Sequence, residues 1–204
     1  PDHLDRHKTL EEYVDLKGRI SAFQNDGDIL VLNKDDENVM KQGKRSKAKK
    51  VFFSLLDKVD EGAYLENGSM FTCFDGRKQR VLSVGDLKLA MQFQAENLLS
   101  SMVVATLVNV TKSDIANVAM KFEGLDHRVE WVRTVRGIDF VNDSKGTNVG
   151  ALQKSLKVFS RPIILIAGGK DKGGDFRVLK NLFKEKVKHL ILIGETKNKL
   201  REVL

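Results

Sequence analysis

Between an apolar, strand-like segment (Ile138, Phe140, Val141) and a helical pattern with Val149, Leu152, Leu156 and Phe159 on one face lies Asn142-Asp143-Ser144-Lys145-Gly146-Thr147-Asn148. A bare turn needs none of that chemistry. Asp143 could accept bonds from ribose hydroxyls, and Lys145 could offset phosphate or carboxylate charge. Gly146 lets backbone approach a ligand, and Thr147 or Asn148 can cap the following helix. The same residues also suit a capped connection that only satisfies its own backbone.

A second polar run, AGGKDKGGDF at 167–176, carries four glycines with Lys170 and Lys172 ahead of another helical pattern. It is not a Walker A loop, which sets lysine and hydroxyl directly before the helix, and GxGxxG fails as well. A flexible glycine turn is the plain alternative. In an open parallel sheet, ligands gather beyond the carboxyl ends of the strands, so two such loops on successive strand ends predict one mouth for an anionic guest.

The chain opens on PDHLDRH, which with Lys17 puts Asp2, His3, Asp5, His7 and a lysine close in sequence. Neutral imidazole and carboxylate are sensible ligands for a divalent metal, although two histidines four apart also arise by chance. Arg128 in HRVEWV offers a guanidinium fork suited to phosphate oxygens, or to an ordinary salt bridge.

The elements that position these residues follow from periodicity. Residues 10–23 read as a helix and 28–33 as a strand, while Asn67-Gly68 and Asp75-Gly76 mark tight turns in a small antiparallel meander over 63–84. A buried helix is predicted from Leu89 to Val108, and another from Ser113 as its cap to Phe122. Beyond Gly124 the pattern becomes strand (129–135 and 138–142), helix (148–158), strand (162–168), helix (176–186), strand (189–194) and helix (195–204). That alternation predicts βαβ units and a parallel sheet after a boundary near 124–127.

With 204 residues, 41% hydrophobic and 31% charged, the chain can bury one large core or two modest ones. The single Cys73 excludes an internal disulfide framework and fits a reducing compartment, and no apolar run reaches membrane-span length. The net charge of +7 is densest in KQGKRSKAKK at 41–50. Lacking interleaved aromatics, that run reads as a solvated loop, and a nucleic-acid role ranks last.

PDHLDRH with Tyr13 and Lys17, GLDHRVEWV at 124–132, NDSKGTN at 142–148 and GGKDKGGDF at 168–176, in this order and spacing, resemble the Mur ligases. The last two together resemble the glutamate-adding branch. The resemblance implies an α/β fold in which 1–124 is the second half of a central ATPase domain, a mixed sheet with helices and a small antiparallel meander. Residues 125–204 would be a partial Rossmann-like, glutamate-binding domain. It implies an ATP-dependent, amide-forming reaction of peptidoglycan synthesis in the cytoplasm. There D-glutamate is added to UDP-N-acetylmuramoyl-L-alanine through an acyl phosphate, with ATP and Mg2+ as cofactors.

By the same resemblance His3 is a magnesium ligand and Lys17 a lysine that becomes carbamylated, making a carboxylate able to hold a second metal. Asn97 contacts adenine, Arg128 a nucleotide phosphate and Asp143 the ribose. Lys145 faces the reacting phosphate, while Thr147 and Lys172 hold the carboxylates of D-glutamate. Three positions depart from the family: Phe93 and Gln94 stand where most members have His-Asn, and Gly146 replaces a common alanine. The family's P-loop, uridine-binding domain, upstream acidic metal ligand and C-terminal segment are not in the chain, so this stretch alone is expected to be inactive. A different class of function, a standalone anion- or nucleotide-binding module using the loops at 142–148 and 168–176, would make Lys17 dispensable.

Overall fold

A computed structural model describes residues 7, 9–171 and 173–203. The chain forms two compact units, one over Glu11–Gly124 and the other over Leu125–Leu204, with Leu10 grouped with the latter.

In the first unit, helix α1 (Leu10–Gly18) precedes strand β1 (Ile29–Asn33), helix α2 (Glu37–Gly43) and strand β2 (Lys49–Ser54). Three further strands, β3 (Gly62–Glu66), β4 (Ser69–Phe74) and β5 (Arg77–Ser83), complete one sheet in the order β1-β2-β3-β4-β5. The β1–β2 and β2–β3 pairs are parallel, and the meander β3–β4–β5 is antiparallel. Its two turns are Asn67-Gly68 (φ 48° and 71°) and Asp75-Gly76 (φ 49° and 70°), the left-handed pair that matches strand twist.

Instead of one helix over 89–108, the chain makes α3 (Leu89–Phe93) and α4 (Ala95–Leu107), because Gln94 leaves helical geometry at φ −98° and ψ 22°. Leu98, Leu99, Met102 and Val103 of α4 join Val51, Ala63 and Met70 of the sheet in the main core. Helix α5 (Lys112–Lys121) is capped by Thr111 and not by Ser113. The Thr111 hydroxyl oxygen accepts from Asp114 N–H and donates to the Asp114 carboxylate. Nor is the basic run at 41–50 a plain solvated loop. It ends α2 and opens β2, buries Ser46 and Ala48, and pairs Arg45 with Asp15 and Lys49 with Glu61.

The second unit begins with β6 (Glu130–Val135) and β7 (Ile138–Asn142). They pair as an antiparallel hairpin, contrary to the expected parallel alternation, because Arg136-Gly137 (φ 50° and 78°) forms a two-residue turn. Then come α6 (Val149–Val158), β8 (Ile163–Gly168), a 3-10 turn (Phe176–Leu179), α7 (Lys180–Lys186), β9 (Val187–Ile193) and α8 (Lys197–Val203). Strands β8 and β9 are parallel, as a helical crossover requires. One sheet face packs Leu165 and Leu190 against Leu156, Leu179 and Phe183. The other leaves Ile164, Ile166, Ile191 and Ile193 exposed. Gly168 sits where β8 touches β9: at φ 147°, a Cβ there would fall 1.8 Å from the Ile193 carbonyl oxygen.

Candidate functional site

In the second unit the turn before β6 and the loop after β7 are tied together. The Lys145 N–H donates to the His127 carbonyl at 3.0 Å, and the Val129 N–H donates to Asp143 Oδ1 at 3.2 Å. Asn142 Nδ2 donates to His127 Nδ1 at 2.8 Å, and Glu130 Oε2 accepts from the His127 N–H at 2.8 Å. His127 Nδ1 also lies 3.3 Å from Glu130 Oε2. Two residues of this turn, His127 (φ 68°) and Val129 (φ 50°), adopt the left-handed conformation. For a β-branched, fully buried residue such as Val129 that is a strained backbone, held by its bond to Asp143.

The result is to set Arg128 and Lys145, both exposed and without a side-chain partner among the described residues, on adjacent cross-linked segments. Asp143 uses both carboxylate oxygens internally, since Oδ2 accepts from the buried Ser155 hydroxyl of α6. Each oxygen retains a further lone pair. Asn148, not Thr147, caps α6, its side chain accepting from the Ala151 N–H at 2.8 Å. Thr147 is exposed at the same helix start. A ten-residue helix thus presents its positive end beside two cations.

The glycine-rich loop reaches the same helix end, although β7 and β8 are not paired neighbours. A Cβ on Gly174 would lie 2.6 Å from Val149 Cγ2, at the first residue of α6. The loop's own shape is held by carboxylates. Asp171 accepts from the Gly173 N–H at 2.8 Å and from Lys199 Nζ of α8 at 2.9 Å, and this lysine holds its carboxyl below the ordinary value. Asp175 forms a two-point pair with the Arg177 guanidinium, at 2.9 and 2.8 Å, which lowers its pKa to about 2. Thr196, buried after β9, donates its N–H to the Gly169 carbonyl at 3.2 Å. These ties leave Lys170 exposed in the loop.

Inside the second unit the two polar loops meet at the N-terminus of α6, through Gly174 and Val149, and not at the ends of two neighbouring parallel strands. Arg128, Asp143, Lys145 and Thr147 lie on the turn and loop that are tied together before that helix. His3 and Lys172 lie outside the described residues. Lys17 and Asn97 belong to the first unit. Lys17 is exposed on α1 with its ammonium 5.6 Å from the Tyr13 ring centroid, and Asn97 is exposed in the first turn of α4. Gln94, one turn earlier, is buried and its Nε2 has no hydrogen-bond partner among the described residues. No group of three His, Cys, Asp or Glu among the described residues could hold a metal ion. Ser155, Thr196 and Lys199 carry no motif. The one sequence signal is a polar Ser155 beside Leu156 on an otherwise apolar stripe.

Residues 1–105 match the model of the Mur ligase middle domain, and residues 127–204 match that of the Mur ligase glutamate ligase domain. The UDP-N-acetylmuramoylalanine–D-glutamate ligase of Thermoanaerobacter pseudethanolicus is 40% identical over 202 residues, which cover 99% of this chain and 44% of that protein. Among solved structures, MurF from Acinetobacter baumannii superposes with a TM-score of 0.74 at 13% identity, over 98% of this chain and 46% of that one. MurF ligase from Thermotoga maritima in complex with ADP gives a TM-score of 0.65 at 20% identity, over 93% and 49%. The chain thus spans less than half the length of these proteins.

Proposed function

The chain belongs to the Mur ligase family, and from that premise we propose that it is part of an ATP-dependent ligase that joins D-glutamate to UDP-N-acetylmuramoyl-L-alanine in peptidoglycan synthesis. The D-glutamate ligase named above supports the substrates, and the ADP complex of the Thermotoga protein supports the nucleotide. A cytoplasmic location goes with this reading. No helix among the described residues is long and apolar enough to cross a membrane. Residues 1–124 then act as part of the ATP-binding domain and 125–204 as part of the glutamate-binding domain.

The reaction has two balanced steps. The substrate carboxylate attacks the γ-phosphorus of ATP, forming an acyl phosphate and releasing ADP. The amine of D-glutamate then attacks the acyl carbon, phosphate leaves, and a proton is lost from nitrogen as the amide forms. Little covalent chemistry falls to the protein, so positioning and charge stabilisation carry the rate. Arg128 and Lys145, fixed on cross-tied segments, are suited to phosphate oxygens, and the α6 N-terminus adds backbone donors. Asp143 keeps lone pairs for ribose hydroxyls. Thr147 and Lys172 are assigned the glutamate carboxylates, and Asn97 the adenine. Mg2+ would offset charge on the transferring phosphoryl group, with His3 and a carbamylated Lys17 as its assigned ligands.

The observation that supports this reading is that two cations without a side-chain partner among the described residues sit on segments tied together just before the α6 N-terminus, which the glycine-rich loop also reaches. Phosphate release by the full-length protein, with the uridine nucleotide substrate and ATP present, tests it. Release that depends on D-glutamate, and not on L-glutamate, is expected. Nucleotide binding without any glutamate-dependent release would favour the non-catalytic binding module instead.

A further inference from the structure

Ser155 sits on the buried side of α6, twelve residues after Asp143, and is only 4% exposed. Its hydroxyl donates to Asp143 Oδ2, with the Ala151 carbonyl at 3.0 Å as an alternative acceptor inside its own helix. The same carboxylate oxygen limits position 146. A Cβ on Gly146 would lie 2.9 Å from Asp143 Oδ2 and 3.1 Å from the Asp143 carbonyl oxygen, closer than ordinary contact allows. Gly146 leaves room for the carboxylate in this orientation, and Ser155 supplies the bond that keeps it there. The other oxygen is then turned toward the Val129 N–H, next to Arg128.

We infer that Ser155 is a positioning residue that fixes the plane of the Asp143 carboxylate for the paired hydroxyls of a nucleoside sugar. This rests on the proposed nucleotide contact of Asp143. Ser155 does not itself reach the ligand. It restricts a rotatable side chain to the binding orientation, and a site competent only a fraction of the time loses affinity by that fraction.

The test uses the full-length protein with Ser155→Ala, Ser155→Thr and Ser155→Cys. ADP affinity is measured by calorimetry, alongside glutamate-dependent phosphate release. Ser155→Ala is expected to weaken ADP about tenfold, with kcat at saturating ATP and the KM for D-glutamate within about twofold of the parent. Ser155→Thr, which keeps the hydroxyl, is expected to stay within about threefold. Ser155→Cys, which keeps the size of the side chain but donates only weakly, is expected to fall between the two.

The inference is overturned if Ser155→Ala binds ADP like the parent, or if the threonine variant is as weak as the alanine one. Should Ser155→Ala fail to fold, Ser155→Cys decides alone, and ADP bound as tightly as by the parent overturns the inference. If the parent binds ADP but shows no glutamate-dependent turnover, the ligase reading fails while the ADP ratios still decide the role of Ser155. A parent that binds no ADP sinks both.

Discussion

Asp143 is the point at which the stability of the site can be separated from its chemistry. Its carboxylate accepts from the Val129 N–H at 3.2 Å and from the Ser155 hydroxyl, and both donors belong to buried residues. Hydrogen bonds to a charged group contribute roughly 1.5–3 kcal/mol, and an orphaned buried donor costs about 1–3 kcal/mol. In Asp143→Ala the Ser155 hydroxyl can redirect to the Ala151 carbonyl at 3.0 Å, but the Val129 N–H, on a backbone at φ 50°, has no such alternative. The expected loss is about 3 kcal/mol. Asp143→Asn keeps one acceptor for Val129, and its amide can donate to Ser155 Oγ while that hydroxyl bonds Ala151, so only charge assistance is lost, about 1 kcal/mol. Trp131 is the single tryptophan and lies half-exposed in β6 of the same unit. Urea unfolding followed by its fluorescence should rank parent, asparagine variant and alanine variant in that order. Equal losses for the two variants, or none for either, would refute the clamp.

Gln94 buries an amide nitrogen without a partner, so Gln94→Met should raise the stability of the first unit by about 1 kcal/mol in denaturation followed by circular dichroism. A loss of that size would show that the amide is engaged. The Arg177 guanidinium holds Asp175 at about pKa 2, below the ordinary 3.8. The contribution of that pair is therefore present above pH 3.8 and is lost as pH falls through about 2. Arg177→Ala should return the Asp175 titration toward 3.8 in a carboxylate NMR titration. Gly174→Ala puts a methyl 2.6 Å from Val149 Cγ2 and should part the glycine-rich loop from α6. In the full-length protein it is expected to raise the KM for D-glutamate by about tenfold with little change in unfolding midpoint.

Much of the architecture is legible in residue order because local chemistry decides it. Asn67-Gly68 and Asp75-Gly76 can adopt paired left-handed conformations cheaply, so the meander follows from its turns. Arg136-Gly137 makes a turn of the same kind, but Arg136 is not a residue that advertises positive φ, and the hairpin β6–β7 reads as two members of a parallel series. The break at Gln94 is hidden for another reason. Apolar residues flank it on both sides, so the pattern reads as one continuous helix.

The candidate site divides the same way. Charge, hydroxyl and glycine at 143–148 and 168–176 mark ligand-facing loops by type alone. The clamp that orders them does not, because it depends on a serine in the next helix and on the backbone conformation of Val129. Tertiary partners of this sort have no local signature.

Oxygen transfer from the substrate carboxylate tests the account most directly. With that carboxylate labelled with oxygen-18, the full-length protein, supplied with ATP and D-glutamate, should release phosphate carrying a labelled oxygen for each amide formed, read by mass spectrometry. Amide product accompanied by unlabelled phosphate, or ATP hydrolysis with no amide at all, would contradict it.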